Sequence, residues 1–215
     1  MSRYTDRLKN VLSPGERRLF ARLDSPTKIQ NFLDSLPINY EMNGETYMSP
    51  RRMIRAKTAH CFEGALFAAA VFAFHGQKPL LMDFQTTPTD EDHVIALFKL
   101  HGRWGAISKT NHVILRYRDP VYMSPRELAL SYFNEYYENN GKKSMRTYSE
   151  PFDLSQYDPA EWVTAEHDLH DIVGAADHCR HFPVMPKKIE KMLRRADPIE
   201  RKSLGLIEWK QKATR

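Results

Sequence analysis

Two residues of this sequence could form a thiol-based catalytic pair. Cys61 lies at the start of the Ala-rich apolar stretch AHCFEGALFAAAVFAF, which predicts a buried helix. The free N–H groups and positive dipole at a helix N-terminus stabilise a thiolate, and they could also bind an oxyanion. His93 begins the run HVIALFKL, which predicts a strand, so its imidazole would lie at a sheet end and could act as the general base. Cys61 could instead be a small buried apolar residue, a common role for an unpaired cysteine.

The local pattern around Cys61 predicts how the helix begins and ends. Thr58 is the expected N-cap, which makes Cys61 the third helical residue, and Gly76 is the expected C-terminal glycine. Adjacent helical side chains do not face each other, so His60 is expected to be a helix-terminus or surface histidine. Glu63, two residues past the cysteine, is expected to point away from the thiol.

A predicted hairpin places a third side chain near His93. His101-Gly102 is the expected two-residue turn between HVIALFKL and RWGAISK, which pairs Leu100 with Arg103. In this register Ser108 lies diagonally across from His93 on the same face of the sheet. A serine hydroxyl could accept a hydrogen bond from the imidazole and orient it, but it cannot supply the negative charge of a full triad.

Other residues could replace Ser108 as the partner of the base. Asn111 is a second candidate, although strand parity directs it to the opposite face unless a bulge intervenes. A carboxylate from elsewhere, such as Asp92, could also take this place. Glu63 is the other acidic candidate, and its expected direction counts against it.

The order of these residues resembles the transglutaminase-like branch of the papain-like cysteine enzymes. That branch has a Cys at a helix start, a His beginning a strand, and then a W-x-x-x-D-x-T signature. Here Trp104 follows His93 by eleven residues, and Thr110 stands at the position of the Thr. The resemblance covers about residues 57–111. It departs from the family at the Asp position, which is Ser108, and in the lead-in AHCFEG, which is not Gly-rich.

The resemblance implies a papain-like, transglutaminase-like α+β fold and a reaction that needs no cofactor. Cys61 would be the nucleophile and His93 the base, in amide hydrolysis or acyl transfer through a thioester on a peptide or protein substrate. Ser108 marks only the location of the third member. The missing Asp favours an alternative, in which the fold has lost catalysis and binds a peptide or another partner.

The predicted elements run from helices through antiparallel strands to further helices. This order predicts an α+β domain in which N-terminal helices precede a central Cys helix packed on an antiparallel sheet, with C-terminal helices after it. The expected helices begin at Pro26, Pro50, the Cys stretch and Pro125, the last reaching about Glu138, with a final one over residues 162–176. The expected strands cover residues 79–86, 93–100, 103–109 and 112–118.

Charge and composition limit the possible partners. The 215 residues carry a net charge of +5, and residues 183–215 hold 10 Lys or Arg against 4 Asp or Glu. We therefore expect one domain over residues 1–182 and a basic, helical or flexible tail over 183–215. Nucleic-acid contact could come only through that tail, and Trp209 is its only aromatic residue, which does not favour a stacking surface.

Several expectations concern the location of the protein and its cofactors. No apolar run approaches the roughly 20 residues of a membrane span, and the charged N-terminus has no signal core. Two cysteines 118 positions apart do not form a disulfide framework, so we expect a cytoplasmic protein with free thiols. The stretch HDLHDIVGAADHCRH pairs His167 with His170 and His178 with His181 at helical spacing. Alternating Asp and His on an amphipathic helix favour a solvated face over a metal site.

Overall fold

The computed structural model describes residues 2–42 and 44–210 of the chain. The fold belongs to the α+β class, as the sequence predicted. Its α-helices are α1 (Ser2–Val11), α2 (Pro14–Arg22), α3 (Pro26–Asp34), α4 (Pro50–Ala56), α5 (Cys61–Phe74), α6 (Pro125–Phe133), α7 (Pro159–Trp162), α8 (His170–His178), α9 (Lys187–Glu190) and α10 (Pro198–Arg201). Its strands are β1 (Leu80–Gln85), β2 (His93–Leu100), β3 (Arg103–Ile107), β4 (Arg118–Tyr122), β5 (Thr147–Ser149), β6 (Phe152–Asp153) and β7 (His181–Pro183).

Four helices begin with the same Ser-Pro pair. The side chains of Ser13, Ser25, Ser49 and Ser124 each accept a hydrogen bond from the backbone N–H three residues later, and the proline occupies the first helical turn. This signal confirms the predicted starts of α3, α4 and α6. The same signal opens α2, which was not predicted, and α1 was missed as well.

The antiparallel sheet contains the predicted hairpin in the predicted register. The strand order is β4-β3-β2-β1-β5-β7, and β6 also pairs with β1. Leu100 pairs with Arg103, and the turn residues His101 and Gly102 have φ angles of 48° and 79°. Two consecutive positive φ angles are typical of a type I′ turn, whose twist matches that of the flanking strands.

Helix α5 fills the space between the sheet and the other N-terminal helices. Its residues from Phe62 to Ala73 are buried, and they pack with alternate residues of β1 and β2 in one apolar cluster. A second cluster on the other face of the sheet includes residues from α6. The helix ends at Phe74, and Gly76 follows it, as predicted, with a φ of 85°. The N–H groups of Gly76 and Gln77 donate to the carbonyls of Ala73 and Phe72.

The start of α5 differs from the prediction. His60, and not Thr58, is the N-cap, so Cys61 is the first residue of the helix and not the third. The Thr58 hydroxyl donates instead to the carbonyl of Pro37, at 3.0 Å. Thr58 has a higher intrinsic N-cap propensity than His60, but its hydroxyl is engaged in this tertiary hydrogen bond and does not cap the helix.

The strand expected over residues 112–118 is wrong. Most of this stretch is irregular, and β4 begins only at Arg118. The guanidinium of Arg118 explains the difference, because it donates to the carbonyls of Ile114, Arg116 and Tyr117 at 3.2–3.3 Å. Carbonyls that converge on one side chain cannot face a neighbouring strand.

Two helix boundaries also differ from the predictions. Helix α6 ends at Phe133 and not near Glu138, and the Asn134 carbonyl accepts a hydrogen bond from the Lys143 ammonium. The helix expected over residues 162–176 is divided into α7 and α8. Between them the carbonyls of Val163 and Ala165 accept hydrogen bonds from the start of α4, so they leave the helical pattern.

The basic C-terminal segment packs on the rest of the fold. The boundary expected between residues 182 and 183 falls inside β7. Val184 and Ala196 are buried, the Ala196 N–H donates to the Gly141 carbonyl at 2.8 Å, and the Tyr137 hydroxyl donates to the carbonyl of Glu200 at 2.6 Å. The chain thus remains part of one structure as far as residue 210, and residues 211–215 of the expected tail lie outside the described residues. No helix in the described ranges is both long and apolar enough to cross a bilayer.

A close contact between α5 and the end of β3 yields a stability prediction. A Cβ atom at Gly64 would lie 2.4 Å from Cβ of Lys109, whose buried ammonium donates to the carbonyls of Leu33 and Leu36. Lys109 therefore cannot move away from an added Cβ atom without weakening these buried hydrogen bonds. We expect Gly64→Ala to lower the free energy of unfolding by about 1–3 kcal/mol, as overpacking does, in urea denaturation.

The matched control for this prediction is Gly174→Ala in α8. Nothing lies within 4 Å of the Cβ position at Gly174. Because alanine favours the helix over glycine, this variant should be as stable as the parent or more stable by up to about 1 kcal/mol. Equal stability of the two variants would contradict the packing argument.

Candidate active site

A cavity of about 900 Å³ brings together the first turn of α5, the start of β2 and the segment after β3. Cys61 and His93 both line it, so the two residues predicted as nucleophile and base face one space. The structure thus brings together residues that are 32 positions apart in the sequence. The wall is formed by residues 38–41, 45, 47, 60–62, 83, 86–88, 90–94, 109–112, 115, 135–137, 173, 177 and 204.

A capping box built on His60 and Glu63 places Cys61 at the first helical position. The Phe62 N–H lies 3.3 Å from Nδ1 of His60, and the His60 N–H donates to the Glu63 carboxylate at 3.0 Å. Nδ1 of His60 is also 4.0 Å from Sγ of Cys61. The cysteine side chain therefore begins the helix beside one imidazole, where the helix N-terminus favours a negative charge.

Glu63 is fully buried and does not face the thiol, in agreement with its expected direction. Its carboxylate accepts hydrogen bonds from the Met48 N–H at 3.1 Å, the Thr46 hydroxyl at 3.0 Å and the Asn39 amide at 3.2 Å. These bonds hold the loop that forms one wall of the cavity. Glu63 is thus a positioning residue for the loop and for the helix start.

His93 and Ser108 are hydrogen-bonded as the predicted register required. Nε2 of His93 lies 2.7 Å from Oγ of Ser108, and both side chains are buried. The side-chain amide of Gln30 fixes Ser108 in turn, since it accepts from the Ser108 N–H at 3.1 Å and donates to the Ser108 carbonyl at 2.9 Å. If Nε2–H donates to the serine, Nδ1 of His93 remains as the basic atom.

The two imidazoles decide the charge of Cys61. Burial by itself raises the pKa of the thiol. Hydrogen bonds from His60 and His93, with the positive charge that both rings can carry, outweigh it and hold the pKa well below its usual value. Burial raises the pKa of the other cysteine, Cys179, which is also a free thiol. The fold therefore shifts the pKa values of its two thiols in opposite directions, down for Cys61 and up for Cys179.

Asn111 fastens the C-terminal segment and does not orient His93. Its amide nitrogen donates to the Trp209 carbonyl at 2.8 Å and to the Tyr40 hydroxyl at 3.0 Å, and its oxygen accepts from the Trp209 N–H at 2.8 Å. Both the nitrogen and the oxygen of the side-chain amide are thus hydrogen-bonded to Tyr40 or Trp209. The expectation that Asn111 could serve as the orienting residue is therefore not met by the contacts it makes.

Asp92 likewise has another partner. Its carboxylate accepts from the N–H and the hydroxyl of Thr86, at 2.8 and 3.1 Å, and so shapes the loop before β2. Ser108 is therefore the candidate that the structure brings to His93.

The cavity wall carries an excess of negative charge. Burial raises the pKa of Asp83 to about 6, and the neighbouring Asp177 and Asp92 add to this effect against the opposing influence of His181. Lys109, the lysine in the wall, directs its ammonium to backbone carbonyls of the α3 segment. The carboxylate side chains of the wall are Glu41, Glu45, Asp83, Asp90, Glu91, Asp92, Glu135 and Asp177.

His170, His178 and His181 each contact a different group and do not converge on one point. Nε2 of His181 lies 3.0 Å from Oδ2 of Asp83, Nδ1 of His178 lies 2.7 Å from the Gly174 carbonyl, and the ring of His170 packs edge-on against Tyr47. Within the described ranges, no three or more His, Cys, Asp or Glu side chains are grouped so that they could hold a metal ion.

Sequence reasoning missed Gln30, and it placed His60 correctly at a helix terminus but did not expect its contact with Cys61. Gln30 interrupts the apolar face of α3 between Ile29 and Leu33, and a polar residue on a buried face is a usable signal for a buried hydrogen bond. The sequence offered no such signal for the contact between His60 and Cys61, because that contact depends on which residue begins the helix. Compared with models of known protein families and with curated proteins, the chain finds no match.

The opposite pKa shifts of the two thiols predict different alkylation kinetics. Iodoacetamide reacts with the thiolate, so Cys61 should be labelled faster than Cys179 at pH 6–7. The Cys61 rate should rise less steeply with pH between 6 and 8 than the Cys179 rate, which should rise about tenfold per pH unit in this range. Peptide mass spectrometry after timed quenching measures both rates in one sample. Slow and equal labelling of the two residues would contradict the site.

The contacts of Ser108 and Asn111 predict separable effects. Ser108→Ala removes a buried hydrogen bond worth about 1 kcal/mol, so Cys61 alkylation at pH 6 should slow by roughly fivefold. Asn111→Ala should leave that rate unchanged but accelerate amide hydrogen exchange over residues 204–209. If instead Asn111→Ala slowed alkylation and Ser108→Ala did not, the assignment of the orienting residue would be reversed.

Proposed function

We propose that this chain is a thiol enzyme of the transglutaminase-like type, which forms a thioester between Cys61 and the acyl group of an amide substrate. The observation that carries the proposal is a thiol with a lowered pKa at a helix start, next to His93, in a cavity large enough for a peptide side chain. The order of Cys61, His93 and Ser108 in the chain, and the hydrogen bond between His93 and Ser108, support the family resemblance.

The proposed reaction has two proton transfers through His93. Sγ of Cys61 attacks the amide carbonyl carbon, and the backbone N–H of Cys61 is placed to donate to the oxyanion. Collapse of the tetrahedral intermediate breaks the C–N bond, and His93 gives its proton to the leaving amine. Water or an acceptor amine then attacks the thioester, His93 takes the proton of that nucleophile, and the sulfur leaves as thiolate.

Ser108 determines how strongly His93 can act. A hydroxyl orients the imidazole through Nε2, but it adds no negative charge to stabilise the imidazolium. This neutral partner also favours the alternative function, in which the cavity binds a peptide or partner without chemistry. The two functions differ in one respect that can be measured, the need for the sulfur atom of Cys61.

The charge of the cavity favours cationic substrates. Eight carboxylate side chains line its wall, and the ammonium of the lining lysine is directed away. A peptide carrying Lys or Arg would find a favourable potential there. A reducing compartment such as the cytoplasm would keep Cys61 in the thiol form that this chemistry requires.

The test of the proposed function is thioester formation and turnover. The full chain is treated with p-nitrophenyl acetate, and acetyl-Cys61 is identified by mass spectrometry before and after addition of hydroxylamine. A panel of Lys-rich and Glu-rich peptide amides is then screened for ammonia release or for amine incorporation. We expect an acetylated Cys61 that hydroxylamine clears, and turnover of the Lys-rich peptides in preference to the Glu-rich ones.

Matched variants separate the enzyme from the binding module. Cys61→Ser should abolish acetylation and turnover, whereas Cys179→Ser should retain both. His93→Ala should lower turnover by at least about 100-fold, the usual contribution of a general acid–base residue. Peptide binding that is unchanged in Cys61→Ser, with no turnover by the parent chain, would establish the binding module instead.

A further inference from the structure

The sulfur of Cys61 has a second imidazole beside it, on the residue that precedes it in the chain. Nδ1 of His60 is 4.0 Å from Sγ. Neighbouring residues inside a helix cannot face each other in this way, but His60 is the N-cap and has an extended backbone with φ −97° and ψ −172°. Its ring can therefore turn back over the first helical turn, and only 15% of its side chain is exposed.

The surroundings of the His60 ring favour a positive charge. Nε2 lies 2.7 Å from the Thr46 carbonyl, which can only accept, so this nitrogen carries a proton. The carboxylates of Glu63 and Glu41 lie 3.5 and 3.8 Å from the same nitrogen, and the ring of Tyr47 packs edge-on at 6.2 Å. The charged groups that face Nε2 from the helix and from the neighbouring loop are thus anionic.

Nδ1 of His60 has two partners and can serve only one of them at a time. Without a proton, it accepts the hydrogen bond from the Phe62 N–H at 3.3 Å and caps α5. With a proton, it becomes a donor and can bond only to the sulfur. The protonation of His60 is therefore linked to the charge of Cys61, since a thiolate attracts the proton and a thioester does not.

We propose that His60 is a second functional histidine of this site, whose imidazolium holds Cys61 as a thiolate in the free protein. When the sulfur is acylated, Nδ1 of His60 releases its proton to solvent and returns to capping α5, and it takes a proton from solvent again when the thiolate is restored. The proposal rests on the proposed function in one respect, because it concerns the same nucleophile. It describes the resting thiolate, however, and needs no turnover to be tested. His93 is left to transfer protons to and from the substrate, while His60 keeps the sulfur charged.

The electrostatic balance at His60 agrees with this role. Burial lowers its pKa, but the hydrogen bond and charge of Cys61, the charge of Glu63 and the bond to the Thr46 carbonyl raise the pKa to about 9. The charged pair should therefore persist from below neutral pH up to about pH 9. Above that pH His60 loses its proton and the sulfur loses this partner.

The experiment compares the pH dependence of Cys61 alkylation in four proteins. They are the parent chain, His60→Asn, His93→Ala and the double variant, each labelled with iodoacetamide between pH 5 and 10. Asparagine is a favoured N-cap residue, so His60→Asn removes the charge while it keeps a side chain that can cap α5. Urea denaturation of each variant checks that it is folded.

The expected result is a loss of the thiolate at low pH. His60→Asn should slow alkylation at pH 6 by tenfold or more and approach the parent rate near pH 9.5. His93→Ala should retain faster labelling at pH 6 than the double variant. A pH profile of His60→Asn that matches the parent, or a His93→Ala variant as slow as the double variant, would overturn the proposal.

A second measurement avoids any dependence on the folding of these variants. The titration of His60 is followed by NMR in the parent chain and in Cys61→Ser, with His75, whose ring lies 2.9 Å from a backbone carbonyl, as the control. The pKa of His60 should fall when the sulfur is replaced, and an unchanged pKa would again overturn the proposal. A chain that keeps the low-pH thiolate but forms no thioester would refute the proposed function and leave the role of His60 intact.

Discussion

The buried carboxylate of Glu63 is the constraint on which the candidate site depends. It joins the loop that precedes α5 to the start of the helix, because the backbone N–H groups of Met48 in the loop and of His60 at the N-cap both donate to it. A buried anion is tolerated only when several donors surround it, and the hydroxyl of Thr46 and the amide of Asn39 supply the others. The same bonds that satisfy this charge therefore fix the first helical residue, Cys61, which is the proposed nucleophile.

A second set of polar contacts aligns His93, the proposed base, with that helix. Ser108 lies just beyond the end of β3, where the backbone has left the ladder, and the amide of Gln30 replaces the missing strand partner. The next residue, Lys109, is tied through its ammonium to the end of α3, and its stem packs directly on Gly64 of α5. Gln30 and Lys109, which lie outside the proposed Cys61–His93 pair, thus join α3, α5 and the end of β3.

The sequence allowed prediction wherever a local rule decided the structure. The Ser-Pro pairs determined three helix starts, and the two-residue turn determined the register that placed Ser108 against His93. Prediction failed where a tertiary contact changed the partner of a local group. Pro37 lies 21 residues before Thr58 and accepts its hydroxyl, so the cap moved to His60. Arg118 lies inside the expected strand, but its guanidinium is anchored by Ser131 and Glu135, contacts that the local sequence does not reveal, and it draws nearby carbonyls out of the strand.

The distribution of charge around the two histidines suits the proposed function, in which Ser108 stands where the family that the sequence resembles has an Asp. The Ser108 hydroxyl can accept a hydrogen bond from the His93 imidazolium but brings no opposite charge, so it stabilises that cation less than a carboxylate would. Glu63 and Glu41 instead place their negative charge next to His60. In the proposed mechanism, the negative charge that would stabilise the His93 imidazolium in the family therefore stabilises the imidazolium of His60, the histidine that holds the thiolate. His93 is then freer to lose its proton, which is what the step that protonates the leaving amine requires.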